Sequence, residues 1–207
     1  MFLKNNTFQK IKKNGYLIKS CRPNQWTKNL IIFSAPLFSF SFSLSIWLPS
    51  IYAAIAFCLI SSAIYLLNDC LDIESDRLHP VKCKRPIASG LVNPKRALLF
   101  SLFLAILSVV ITFQNSLNLS LLLISYASIQ ILYCTKFKKK PLLDLFCIAS
   151  GFLIRSLTGI IASDLRLSPW FILSVGLLAL FLAVEKRKAE LMVVQKTGIV
   201  TRKVLKF

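Results

Sequence analysis

Six apolar runs, at residues 29–42, 47–67, 97–113, 117–133, 142–162 and 169–184, constrain this chain more than any other feature. A helix needs about 20 mostly apolar residues to cross the hydrocarbon core. The inner four runs approach that length, and the first and last are shorter. None shows a sustained period-two pattern, and a lipid-facing sheet would have to close into a barrel. At 56% hydrophobic residues and a mean hydropathy of +0.66, the chain is too apolar for a soluble helical domain. The fold class that follows is all-α: a polytopic membrane helical bundle with about six transmembrane helices.

Charge placement leads to the same spans independently. Of 26 Lys and Arg residues, 24 fall in 1–28, 68–96, 135–140 and 185–207. The intervening loops near 43–46 and 114–116 carry none, and 163–168 carries Arg166 with Asp164. Basic and non-basic loops therefore alternate in step with the spans, which predicts a multi-pass protein of the bacterial plasma membrane with both termini cytoplasmic. The expected organisation is a basic segment over 1–28, a transmembrane domain over 29–184 and a basic segment over 185–207. The net charge of +18 then reflects topology and attraction to the anionic lipid bilayer. It is divided among loops without a recognisable binding module, so no nucleic-acid partner is expected. No secretory signal peptide is expected. Phe8, Ile11, Leu17 and Ile18 among lysines suit either an interfacial helix or a disordered tail. The six cysteines include no C-x-x-C spacing, so neither zinc nor a disulfide framework is expected. His79, the single histidine, reads as a loop residue before Pro80.

Chemistry concentrates in Asn68-Asp69-Cys70-Leu71-Asp72-Ile73-Glu74-Ser75-Asp76, which holds four of the chain's eight acids. On a continuous helix Asp69, Asp72 and Asp76 fall at about 0°, 300° and 340° and share a face, whereas Glu74 points away. Carboxylates so crowded repel each other unless a cation holds them, and an oxygen-only donor set suits Mg2+, which usually adds water and substrate phosphate to its shell. The expectation is a Mg2+-diphosphate site at the membrane surface. The carboxylates belong at the aqueous end of the span or in a wet cavity, because charge at the bilayer centre is costly. In the loop that follows, Lys82 and Arg85 are candidate phosphate contacts, with topology alone as the alternative. A second basic loop, Tyr133 to Lys140, leads into Asp144. Arg155, eleven residues on, lies along the same helical face. At about 16 Å it is too far for a direct pair with Asp144, so a lipid phosphate or another span is its expected partner.

With these residues in hand, the chain resembles the UbiA prenyltransferase superfamily, and within it the branch of decaprenyl-phosphate phosphoribosyltransferases. Asn68-Asp69-x-x-Asp72-x-x-x-Asp76 matches the superfamily's first aspartate motif. The branch is marked by Arg22-Pro23-x-Gln25-Trp26-x-Lys28-Asn29, His79-Pro80, Lys84-Arg85-Pro86-Ile87-Ala88-x-Gly90, Tyr133, Lys138, Asp144, Ser150-Gly151-Phe152, Arg155, Ser168-Pro169-Trp170-Phe171 and Lys186-Arg187-x-x-Glu190. The resemblance implies nine spanning helices around a cytoplasm-facing cavity, of which this chain is expected to hold about six. The isolated chain is accordingly expected to turn over weakly or not at all.

The resemblance also implies roles. Asp69, Asp72 and Asp76, with Asn68, would hold Mg2+ and the donor diphosphate, and Asp144 would contribute from the opposite wall. Lys28, Lys82, Arg85, Tyr133, Lys138 and Arg155 would bind substrate. The implied reaction moves a phosphoribosyl group from 5-phosphoribosyl-1-diphosphate to a polyprenyl phosphate. Alternatives are prenyl transfer from a prenyl diphosphate to an aromatic or lipid acceptor, and a non-catalytic truncated paralogue or one half of a split enzyme. A missing C-terminal half or an oligomer is the expected protein partner. The superfamily's second motif is Asp-x-x-x-Asp, but Ile148 follows Asp144 at that spacing, which weakens the ordinary prenyl reading.

Overall fold

A computed structural model describes residues 15–40, 42–166 and 168–197; Phe8, Ile11 and the basic tail over 198–207 lie outside the described residues. The chain starts with a helical turn, α1, at residues 15–20. A 3-10 helix, Pro23–Phe33, follows and runs directly into α2, Ser34–Phe38. The long helices are α3 (Leu44–Leu71), α5 (Pro94–Asn115), α6 (Leu117–Thr135), α7 (Pro141–Ala162) and α8 (Pro169–Thr197), with the short α4 (Ile73–Arg77) after α3. Among the described residues five helices are long and apolar enough to cross a membrane, in the windows Leu44–Leu71, Pro94–Asn115, Leu117–Thr135, Leu143–Ala162 and Pro169–Ala189.

The first apolar run, expected as an ordinary α-helical span over 29–42, is built differently. Its ordered helix begins at Pro23, pre-set for a first helical turn, and ends at Phe38. A 3-10 helix rises about 2.0 Å per residue against 1.5 Å in an α-helix, so Pro23–Phe38 extends about 30 Å, the thickness of the hydrocarbon core. Three residues per turn also keep every third side chain in line. Trp26, Asn29 and Ile32 form one such stripe against the bundle. Trp26 Nε1 donates to Ser62 Oγ (3.0 Å) and Asn29 Nδ2 to Cys58 Sγ (3.1 Å), while Ile32 is fully buried. Ser62 and Cys58 are four residues apart on α3, so the straight 3-10 stripe follows one face of an α-helix.

Pro94 and Pro169 start α5 and α8, and the Asn93 side chain caps α5 by accepting the Lys95 N–H at 2.9 Å. Hydroxyls inside the spans bond back to their own helix or cross to a neighbour. Ser101 donates to the Ala63 carbonyl (2.7 Å), joining α5 to α3, and Ser50 meets Ser163 (2.8 Å), joining α3 to α7. Such bonds hold helices together where lipid gives no hydrophobic drive for association. The helices α3 and α7 form the centre, each with 56% of its apolar window buried, whereas α8 has 11% and packs on α7. An apolar groove of about 430 Å³ between α3, α5 and α6, lined by Ile60, Ala105, Val109, Leu123 and Ala127, carries no titratable group. The basic helix ends meet at one end of the bundle. The Phe38–Phe171 ring contact (6.3 Å) and the Ser50–Ser163 bond mark the other.

Candidate functional site

The acidic motif straddles a break. The helix α3 ends at Leu71, Asp72 is its cap at φ −100°, ψ 11°, and α4 restarts at Ile73. Helical bonding passes through, from Asp72 N–H to the Asn68 carbonyl (3.0 Å) and from Asp76 N–H to the Asp72 carbonyl (2.8 Å). The expected single stripe is realised by Asp69 and Asp76, both 2% exposed. Arg85 Nη1 bridges them, at 3.1 Å from Asp69 and 2.6 Å from Asp76. Asp72 accepts from Lys138 Nζ of the second basic loop at 2.5 Å. Among the described residues no three His, Cys, Asp or Glu side chains converge closely enough to hold a metal by themselves.

Asp69 takes a second guanidinium, that of Arg22, which the sequence reading passed over as a site residue. Arg22 sits in the left-handed region (φ 54°, ψ 61°) immediately before Pro23. A non-glycine residue there, and before proline, is strained, and such strain clusters at functional positions. Its side chain lies over the Tyr65 ring, 4.9 Å from the centroid, one α3 turn below Asp69. The available signal was its place at the head of the Arg-Pro-x-Gln-Trp run. Cys134, at the end of α6, lies within electrostatic reach of Lys138, Asp72, Arg22 and Asp69, so the loops from three separate segments converge.

Asp144, 1% exposed, pairs with Arg187 of α8, another cation named in the sequence reading without a site role. Arg155, 6% exposed, finds no carboxylate among the described residues. Its Nε donates to Asn29 Oδ1 (2.7 Å), Nη1 to the Gly151 carbonyl (2.8 Å) and Nη2 to Tyr126 Oη (2.6 Å), and its guanidinium lies 4.7 Å from the Tyr126 ring centroid. Its protein partners are thus three neutral acceptors from the 3-10 helix, α6 and α7, so of the two expected partners another span is the one seen. Lys28, half-buried, lies within electrostatic reach of Arg155, Lys186 and Arg22. Arg155→Lys keeps the charge but gives up the planar fork. It is expected to destabilise the protein by about 1–3 kcal/mol through the unmet acceptors, read as a lower melting temperature.

The remaining expected residues occupy the surroundings. Asn68 closes α3, half-buried, one residue before Asp69. Lys82 opens a short 3-10 turn three residues before Arg85, and the Tyr133 ring packs against the core that contains Cys134. His79 Nδ1 accepts the N–H groups of Val81 (3.1 Å) and Lys82 (3.3 Å), so it organises the loop. Burial and then the neighbouring Lys82 push its imidazole below the usual range, which keeps that nitrogen free to accept.

The chain is 40% identical over 194 residues to the decaprenyl-phosphate phosphoribosyltransferase of Mycolicibacterium smegmatis, covering 91% of this chain and 61% of that one. It is 36% identical over 194 residues to the protein of the same name from Corynebacterium glutamicum, covering 91% and 58%. The chain therefore spans about three fifths of the length of these curated relatives. Its fold matches that of a UbiA homologue from Archaeoglobus fulgidus bound to DMAPP and Mg2+, with a TM-score of 0.75 at 18% identity over 88% of this chain and 66% of that one. Residues 30–191, from within the 3-10 helix into α8, match the UbiA prenyltransferase family, to which this chain belongs.

Proposed function

We propose that this chain forms the donor-binding part of a Mg2+-dependent membrane transferase that moves a 5-phosphoribosyl group from 5-phosphoribosyl-1-diphosphate to a polyprenyl phosphate. The observation that carries the reading is the meeting, at one bundle end, of Asp69, Asp72, Asp76 and Asp144 with Arg22, Arg85, Lys138 and Arg187. The choice of phosphoribosyl over prenyl donor is supported by relatives named decaprenyl-phosphate phosphoribosyltransferase at 34–40% identity. The basic loops at this end support a cytoplasmic site in a bacterial plasma membrane.

The donor set fits Mg2+. Two buried carboxylates already share one cation, Arg85, all available donors are oxygens, and Mg2+ is usually held by one or two carboxylates plus substrate phosphate. Asp69, Asp72 and Asp76, aided by Asn68, would hold it, with Asp144 on the facing wall. When bound, the ion neutralises charge on the departing diphosphate. Arg22, Lys82, Arg85 and Lys138 supply fixed positive charge to the same leaving group. As the C1–O bond of the ribose breaks, an oxocarbenium-like centre develops. An oxygen of the acceptor phosphate forms the new bond, and diphosphate leaves. That oxygen is already anionic, so no general base is required. Tyr133, at the α6 end, would bind substrate at this end of the bundle, and Lys28 and Arg155 would do so deeper in it.

The test is label transfer in lipid nanodiscs. Label from the ribose of phosphoribosyl diphosphate is expected in the lipid fraction, at a low level for the isolated chain, dependent on Mg2+ and on Asp72. Label entering lipid or an aromatic acceptor only from a prenyl diphosphate would replace this reading with prenyl transfer.

A further inference from the structure

The ion pairs divide the cations of this site into two sets. Asp69, Asp72, Asp76 and Asp144 are matched by Arg22, Arg85, Lys138 and Arg187. Lys28 and Arg155 remain with no acid partner among the described residues. They are also displaced from the acids. Lys28 is six residues along the 3-10 helix from Arg22, about 12 Å deeper at 2.0 Å per residue. Arg155 is eleven residues along α7 from Asp144, about 16 Å deeper at 1.5 Å per residue. Both distances run into the bundle from the same end. The two side chains are tied together, because Asn29, next to Lys28, accepts the Arg155 Nε–H at 2.7 Å. Gln25 and Lys28, one 3-10 turn apart, share a stripe of that helix, and Lys28 lies within electrostatic reach of Arg22, the residue that caps it, so positive charge leads from the acids down to this pair.

Keeping Arg155 buried is costly without a counter-charge, and intramembrane cations without an acid mark an anion's path. Three of its donors are already committed to Asn29, Gly151 and Tyr126, so its position is fixed in advance. We propose that Lys28 and Arg155 form a second anion site, separate from the metal-diphosphate site, that takes a phosphate monoester. Two positive charges match the charge of about −1.5 to −2 that such a group carries at neutral pH. The depth favours a monoester with an apolar tail, since Tyr126 backs onto Phe57 (ring centroids 5.2 Å apart) and the apolar core. The 5-phosphate of the donor sugar has the same chemistry. The transferase reading supplies these two sources, whereas the site itself rests on the leftover charge.

Binding of a ten-carbon prenyl monophosphate, ribose 5-phosphate and Mg2+-pyrophosphate to the 207-residue chain in nanodiscs tests this. Lys28, which makes no hydrogen bond among the described residues, can be changed without leaving a buried partner unmet. Lys28→Gln is expected to weaken one monophosphate at least tenfold and pyrophosphate less than threefold. Asp72→Asn is expected to do the reverse. Loss confined to the prenyl compound assigns the site to the lipid, and loss confined to ribose 5-phosphate assigns it to the donor sugar. Equal weakening of all three anions by Lys28→Gln, no weakening of either monophosphate, or no monophosphate binding at all overturns the proposal. Failure of Mg2+-pyrophosphate to bind, with the Lys28 effect intact, overturns the metal-diphosphate reading and leaves the second site standing.

Discussion

Asp69→Asn is expected to weaken Mg2+-pyrophosphate binding about a hundredfold, the scale of losing one preorganised electrostatic contact in a water-poor site. Asp69 is the common partner of Arg22 and Arg85, and its side chain is 3% exposed. The amide keeps the shape and removes the charge, so Arg22 loses its counter-ion and Arg85 keeps only Asp76. The fold should survive at a cost of about 3 kcal/mol, the low end for breaking a buried pair, because each arginine side chain is about a quarter exposed (27% and 25%). Titration calorimetry and a melting curve on the same sample separate the two effects. Asp164→Asn is the control: Asp164 is exposed at the opposite end with φ 50°, where asparagine is well tolerated, and neither quantity should move. Unchanged pyrophosphate affinity in Asp69→Asn would falsify the assignment of the acidic motif to the donor.

Gly159→Ala is expected to be the most damaging added methyl among the described glycines. A Cβ at Gly159 would overlap the carbonyl oxygen of Ile32, and backbone cannot step aside as a flexible side chain can. The 3-10 helix therefore lies directly on the α7 backbone at this point. Overpacking of this kind costs about 1–3 kcal/mol and occasionally more. The displacement also has a chemical consequence. Pushing the 3-10 helix off α7 draws Asn29 away from Arg155 Nε and moves Lys28 with it. Gly159→Ala should thus lower the melting temperature and weaken monophosphate binding together. Gly176→Ala, on α8 with nothing within 4 Å of a built Cβ, should be neutral or stabilising by up to about 1 kcal/mol through helix propensity. Equal melting temperatures for the two variants would contradict the close approach. Gly151→Ala falls between them, since its methyl would meet the Gln130 amide at 3.1 Å and Arg155 Nη1 at 3.3 Å, both ends of side chains.

Some of this was legible in advance. The windows of the five long helices follow from unbroken apolar length, a local property of the chain. The alternation of basic and uncharged loops placed Asp69, Asp72, Asp76, Asp144, Lys82, Arg85 and Lys138 at one end without any contact information. Helical periodicity also anticipated that Asp69 and Asp76, seven residues apart, would share a face. It could not name the partner of Asp72, because Lys138 lies 66 positions away. Arg22 and Arg187 were visible as motif letters, but nothing local distinguishes a cation that pairs with a buried aspartate from one that fixes topology.

The sequence by itself determined a membrane-embedded helical chain with its chemistry at one face of the bilayer, because apolar length and charge placement act on each segment separately. Only the tertiary structure decided which cation answers which acid. It also decided that the first span is a 3-10 helix, a choice worth little energy locally and settled by the fit of Trp26, Asn29 and Ile32 to α3 and α7. Lys28 and Arg155 became distinguishable from the other cations for the same physical reason. Ion pairing in a low-dielectric bundle depends on distances between residues far apart in the chain, and those distances exist only once the helices have packed.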